Sequence, residues 1–245
     1  MIELTSSLAE AASDLVQRVR RSLVVLHNGH HGVGAGIIWG RSGEGQRTLI
    51  LTNYHVIAHG RQLQAELEDG AQYPARLLAQ ESGLDLALLE IEATGLPAAL
   101  VADSRSLRVG ELVLAIGHPW GERSAVTAGM VSGLSKAEVR GKRRGERLGE
   151  QRGERCQIEI IRSDARLAPG SSGGPLVNAN GGVIGINTLI VGGDQGIAIP
   201  SHVVSAFVEE ATRQGAESGH RRPAWPGRLW QPIRDRPPVR SGWIR

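Results

Sequence analysis

The sequence predicts an all-β protein, a sandwich or barrel flanked by a helix at each end. Two observations carry that prediction. From Leu23 to Ile199 the chain is a succession of short apolar runs split by glycine-rich turns, which is the spacing of antiparallel strands. The residues that would fill the core are aliphatic, because only 3% of the chain is aromatic.

The first element is helical. Leu8, Ala11, Ala12, Leu15, Val16 and Val19 recur at helical spacing within Ser7–Arg20, which puts them on one face. Strands are predicted at Leu23–His27, Gly34–Trp39, Thr48–Thr52, Gln62–Leu67 and Asp85–Ile91. After a connection over Ala93–Leu107 they resume at Leu112–Ile116, Ala125–Val131, Gln157–Ile161, Val183–Leu189 and Gly196–Ile199. A second helix begins after Pro200 with Ser201 as its N-cap, since a serine oxygen can accept from the free N–H groups of a first turn. Val204, Phe207, Val208 and Ala211 make its apolar face. Residues 213–245 are rich in proline and arginine and carry Trp225, Trp230 and Trp243. Such a composition builds no regular core element and reads as disordered or draped over the surface.

At 245 residues the chain holds one large β domain or two small ones sharing a core. A formal net charge of +3 does not by itself imply nucleic acid. Cys156 is the only cysteine, so no disulfide forms within the chain. No Cys motif surrounds it, and it reads as an inert, partly buried thiol. The start, Met1-Ile2-Glu3-Leu4-Thr5-Ser6-Ser7, lacks the basic and apolar regions of a signal peptide. No apolar run approaches the ~20 residues of a membrane span. As written, the chain reads as a soluble cytoplasmic protein. A leader missing upstream would leave the same picture for a periplasmic or extracytoplasmic one.

The stretch with the most chemistry is Pro169-Gly170-Ser171-Ser172-Gly173-Gly174-Pro175-Leu176. Its glycines let the backbone turn tightly and leave the serine uncrowded. The N–H groups of Gly170 and Ser172 can then converge on one point, as a developing oxyanion requires. Ser172 is a candidate nucleophile if a base lies within reach. Among eight histidines, His27, His30 and His31 sit in a Gly/Asn-rich turn with no carboxylate or cysteine at ligand spacing, so they read as an exposed polar loop rather than a metal site. His59, His118, His202 and His220 have no matching context. His55 stands apart, at a strand end in Thr52-Asn53-Tyr54-His55-Val56-Ile57; alone it reads equally well as a structural histidine. Asp85 opens the apolar run Leu86–Ile91. A charge at such a mouth is costly without a partner, and a His Nδ1–H would be one; the alternative is a turn residue capping the strand. Asp69, Asp103 and Asp194 read as turn residues. The order His55, Asp85, Ser172 is that of the chymotrypsin-type triad and of neither subtilisins nor α/β-hydrolases.

With these strings in place the chain resembles the HtrA/Deg family of trypsin-like serine proteases. The likeness rests on the His55, Asp85 and Ser172 strings and on Ala115-Ile116-Gly117-His118-Pro119-Trp120-Gly121, Val126-Thr127-Ala128-Gly129-Met130-Val131-Ser132, Ser163-Asp164, Val183-Ile184-Gly185-Ile186-Asn187-Thr188 and Ala198-Ile199-Pro200-Ser201. It covers about residues 8–212. The resemblance implies two six-stranded antiparallel β-barrels with the active site between them. It implies a helical segment over 1–21, a protease domain over 22–212 with barrels at about 22–98 and 108–200, and a tail over 213–245. His55 would be the general base, Asp85 its orienting carboxylate and Ser172 the nucleophile, with the N–H groups of Gly170 and Ser172 as oxyanion hole. No metal or cofactor is implied.

Leu167 and Ile190 match apolar positions of the family's S1 pocket, which implies small or medium aliphatic P1 residues. Asp164 does not imply trypsin-like specificity, because the family has an Asp there without it. Asn178 and Asn187 would satisfy turn groups. The substrates implied are unfolded or damaged polypeptides.

The chain also departs from the pattern. Ser171 stands where the family usually has Asn, a mild change if the backbone N–H faces the reaction. The family usually carries PDZ domains after the protease domain, and residues 213–245 leave no room for one. Between Ser135 and Arg155 lies an unusual loop with eight basic and four acidic residues over 136–155, in the place of the family's sensor loop. It is expected either to order on an anionic partner or to stay a solvated charged hairpin; the basic tail is a second candidate for such a partner. The loop Val191–Gly196 would border the cleft. Family members are commonly trimers held by N-terminal contacts, often aromatic. No aromatic precedes Trp39, so a homo-oligomer is expected without the trimer being fixed. Two other functions compete: a protease-like scaffold with a collapsed oxyanion loop, and nucleic-acid binding through the tail and the basic loop.

Overall fold

A computed structural model describes residues 2–29, 33–42, 46–58, 62–118, 125–140, 155–191 and 195–218. Helix α1 (Ile2–Arg20) leads into β1 (Leu23–Asn28), β2 (Val33–Ser42) and β3 (Arg47–Thr52). A single helical turn, α2 (Tyr54–Ile57), precedes β4 (Leu63–Glu66), β5 (Gln72–Glu81) and β6 (Leu86–Ile91). The second half holds β7 (Leu112–Gly117), β8 (Ala125–Arg140), β9 (Arg155–Ser163), β10 (Pro175–Asn178), β11 (Val183–Val191), β12 (Gln195–Pro200) and α3 (Ser201–Ser218). The strands form two closed barrels, β1-β2-β3-β6-β5-β4 and β10-β11-β12-β9-β8-β7, antiparallel throughout. The all-β, two-barrel expectation holds.

Period-2 alternation divides the apolar residues among three cores. On β6, Ala87, Leu89 and Ile91 point into the first barrel with Val24, Leu26 and Ile50. Leu86 and Leu88 face outward and join Ile116, Val177, Ile186 and Ile199 of the second barrel. That explains why the apolar residues of β6 are buried: one face lines a barrel, the other the seam between barrels, while Glu90 is buried against Arg47 and Arg76. The second barrel has its own filling of Val113, Val131, Ile161, Leu176 and Ile184. Helix α3 closes the seam with Val204, Phe207, Val208 and Ala211, and α1 adds Leu15 and Val19. Phe207, the only phenylalanine of the chain, is 1% exposed. Phe207→Ala is expected to cost about 3–5 kcal/mol by lost burial and the cavity left behind, read as a lower urea midpoint.

Several elements differ from the sequence reading. Strands β5 and β10 were not among the predicted runs. Strand β5 contains Pro74, Arg76 and alternating exposed residues, a weak apolar signal that barrel closure overrides. Strand β10 has only four residues. The hairpin β8–β9 is longer than expected: Lys136↔Glu159, Glu138↔Gln157 and Arg140↔Arg155 are ladder partners, so the ends of the expected loop are strand; residues 141–154 lie outside the described residues, as do 192–194 and everything after 218. Ser201 is the first residue of α3, and its hydroxyl donates to Ala102 O at 2.6 Å while accepting from Ser104 N–H. The capping acceptor is instead Ser104 Oγ, 3.2 Å from His202 N. None of the described helices is long and apolar enough to cross a membrane.

Candidate functional site

His55 sits on α2, not on the strand end expected of it. The chain leaves β3 at Thr52 and is turned by Asp85: the Asp85 carbonyl accepts from Tyr54 N–H at 3.1 Å and from the Asn53 side-chain amide at 2.9 Å. Asp85 Oδ1 accepts from His55 N–H at 3.0 Å, and Oδ2 lies 2.7 Å from His55 Nδ1. That acceptor puts the proton on Nδ1 and leaves Nε2 as the basic nitrogen. The side chain of His55 is 50% exposed and that of Asp85 27%, so the imidazole looks outward from a carboxylate set behind it. Asp85 has φ 54, the only positive value on a non-glycine among the described residues. Aspartate tolerates this region better than most residues, and holding it there stores strain beside the histidine.

The turn before Asp85 contributes a pH effect. Glu81 closes β5 and accepts from Gly83 N–H at 2.9 Å. Burial raises its pKa above the ordinary carboxylate value, against the lowering effect of that hydrogen bond. A raised native pKa means the folded state binds the proton more tightly. The associated stability is complete below the unfolded value and is lost as pH rises through the folded one. Glu81→Gln is therefore expected to raise Tm at neutral pH, with the gain vanishing in acid below the ordinary carboxylate pKa; a Tm-versus-pH series of both proteins checks it.

Ser172 comes from the turn between β9 and β10. Its carbonyl accepts from Ala35 N–H of the first barrel at 3.0 Å. Gly173 has φ +84, and a Cβ there would lie 2.1 Å from Ala35 O; one on Gly174 would lie 2.1 Å from Ile116 O. Only glycine lets this turn press against both barrels. Asn187 fixes its far end, exchanging backbone bonds with Gly173 and Gly174 at 2.9 Å each and donating its side-chain amide to Pro175 O. Asn178 accepts from Asn180 and Gly182 N–H at 3.0 Å each. On the other side Gly170 has φ 99, and its carbonyl is turned to His118 N–H at 3.2 Å. The N–H groups of Gly170 and Ser172 have no hydrogen-bond acceptor among the described residues. Two open donors thus flank the serine.

Thr188 links the three residues and was not singled out from sequence. It lies where the β11–β12 register shifts, between Asn187 and Leu189. Its hydroxyl donates to Asp85 Oδ2 at 2.5 Å, and its carbonyl accepts from Ser172 Oγ at 3.2 Å. Among the described residues, no hydrogen bond joins Ser172 Oγ to His55. The sequence signal was the polar Asn187-Thr188 pair interrupting an otherwise apolar run.

Leu167 is half-buried and covers Gly196, where a Cβ would be 3.1 Å from Leu167 Cγ and Cδ1. Gly196 is the backbone ladder partner of Ile190. The Ile190 side chain is outside the described residues. Asp164 Oδ1 accepts from Met130 N–H at 2.6 Å, a backbone role. His27 does have a carboxylate neighbour, because pairing of β1 with β4 brings Glu66 Oε2 within 2.9 Å. His202 lies 2.8 Å from Ser104 Oγ and 2.9 Å from Glu159, and His118 is buried. His30, His31, His59, His220 and the side chain of Cys156 lie outside the described residues.

Known proteins bear on this geometry. A trypsin-like peptidase domain model matches residues 34–186. The chain is 40% identical over 196 residues to Serine protease HTR4 of Rattus norvegicus, covering 80% of this chain and 37% of that one. It is 35% identical over 196 residues to a probable periplasmic serine endoprotease DegP-like of Buchnera aphidicola, covering 78% and 37%. It is 36% identical over 191 residues to Serine protease Do-like HtrA of Bacillus subtilis, covering 75% and 40%. The chain thus spans well under half the length of these relatives. Among solved structures, the serine endoprotease from Yersinia pestis superimposes with a TM-score of 0.66 at 29% identity, covering 83% of this chain and 67% of that one. With two closed barrels and a family match across both of them, the chain belongs to the trypsin-like peptidase family, and the curated relatives it resembles are HtrA and DegP-like serine proteases.

Proposed function

We propose that this chain is a serine endopeptidase working through His55, Asp85 and Ser172. The observation that carries the reading is the hydrogen-bonded array Ser172–Thr188–Asp85–His55 beside two open backbone donors. At rest Ser172 Oγ donates to Thr188 O. Attack requires the side chain to turn to His55 Nε2, which takes the hydroxyl proton as Oγ adds to the scissile carbonyl. The N–H groups of Gly170 and Ser172 receive the developing oxyanion. His55 returns the proton to the leaving amine, and water then hydrolyses the acyl-enzyme by the same route. Asp85 keeps the Nδ1–H tautomer and supports the imidazolium. The open donors favour an enzyme over a scaffold whose oxyanion loop is collapsed.

The substrates are unfolded or damaged proteins, cut after small or medium aliphatic P1 residues. An apolar S1 site at Leu167, Gly196 and Ile190 would leave a lysine or arginine as an unpaired charge. Cut sites in casein, mapped by mass spectrometry, test this. Val, Ala, Ile or Leu at P1 is the expected outcome; cuts after Lys or Arg, or none, would reject it. A homo-oligomer fits the exposed apolar residues Val109, Leu112 and Met130, of which Leu112 and Met130 are ladder partners.

A further inference from the structure

A cleft of about 280 Å³ opens between the end of α1, the connection between the barrels and the β10–β11 turn. Its walls include Arg18, Arg21, Ala98, Leu100, Asn180 and Gly181, none of which positions His55, Asp85 or Ser172. We propose that this cleft binds an extended acidic peptide segment.

The backbone supplies the first argument. The connection runs extended beside the start of β11: Val183 N–H donates to Leu100 O at 2.7 Å, and Ala102 N–H donates to Val183 O at 3.0 Å. In an extended chain alternate residues turn their polar groups to one side. Leu100 N–H and Ala98 C=O therefore face the same side as these bonds, toward the cleft that Asn180 and Gly181 of the β10–β11 turn also line. Neither has a hydrogen-bond partner among the described residues. They form one open rung, a donor and an acceptor, which the backbone of an extended peptide satisfies.

Charge supplies the second. Arg18 and Arg21 stand exposed at the rim, neither has an ion pair among the described residues, and no acidic residue lines the cleft. An aspartate or glutamate on the peptide meets them, while its apolar neighbours lie against Pro97, Ala98 and Leu100, the last 67% exposed. The chain's own residues 219–245 carry seven arginines and one acidic residue, the wrong charge for this rim.

The test uses the full chain with Ser172 blocked by a fluorophosphonate, so that the peptide is not cut. A fluorescein-labelled, amidated Val-Leu-Asp-Glu-Val peptide is titrated by anisotropy against the blocked protein and its Arg18→Glu/Arg21→Glu variant. The variant is expected to bind about tenfold more weakly or worse, and the Asn/Gln form of the peptide is expected to bind the blocked parent protein as weakly. Casein cleavage by the unblocked variant stays unchanged, which separates this site from the active site. In the parent chain the Leu100 amide resonance is expected to move on peptide addition, a readout needing no variant. Equal affinity in the variant, no binding at millimolar peptide, or resonance changes confined to the Ser172 turn would overturn the proposal.

Discussion

Ser172→Ala is expected to lower the rate of casein hydrolysis by about 10^6-fold, the scale seen when a serine nucleophile is removed from a triad, and to abolish fluorophosphonate labelling. The fold should survive. Among the described residues Ser172 Oγ makes a single 3.2 Å hydrogen bond, to Thr188 O, whereas the contact tying the turn to the first barrel uses the Ser172 backbone carbonyl. Loss of that one hydrogen bond is worth about 1 kcal/mol. An unchanged Tm to within a few degrees with activity gone separates chemistry from folding. Full cleavage by the variant would remove Ser172 from the mechanism.

Asp85→Asn is the second large effect, expected to lower kcat by about 10^4-fold with KM little changed. Asp85 Oδ2 faces two donors, His55 Nδ1–H and the Thr188 hydroxyl, and Oδ1 faces a third, His55 N–H. An amide offers one oxygen for three donors. If its oxygen stays on His55 N–H, its NH2 points at Nδ1, which must then become the acceptor. The proton moves to Nε2, and the nitrogen that should take the serine proton already holds one. The backbone at Asp85 tolerates the change, because asparagine adopts positive φ as readily as aspartate. A rate that recovers at high pH while KM stays flat is the expected signature; a wild-type rate would mean that Asp85 does not set the tautomer.

Much of this site was legible in the sequence because short motifs encode it. Gly173 and Gly174 announce a turn in which backbone approaches backbone, and His55 and Asp85 fall in strings that a strand followed by a sharp turn requires. What was hidden depends on register. Thr188 is one residue in an apolar run until the β11 irregularity turns its hydroxyl to Asp85 and its carbonyl to Ser172. Glu66 is 39 residues from His27 along the chain and meets it only when β4 pairs with β1. The same holds for β5, whose half-polar sequence becomes a strand because barrel closure needs it between β4 and β6. The Ser201 cap failed for a related reason: the connection between barrels delivers Ser104 to the same helix end, and its hydroxyl takes the capping place.

The central claim is that Ser172 is the nucleophile, armed by His55 and served by two backbone donors. It is tested most directly by reacting the native chain with a fluorophosphonate and locating the adduct by peptide mapping. A single adduct on Ser172, lost in Asp85→Asn at neutral pH and absent after denaturation before labelling, is the predicted result. An adduct on another residue, or a native protein that degrades casein while Ser172 stays unmodified, would contradict it.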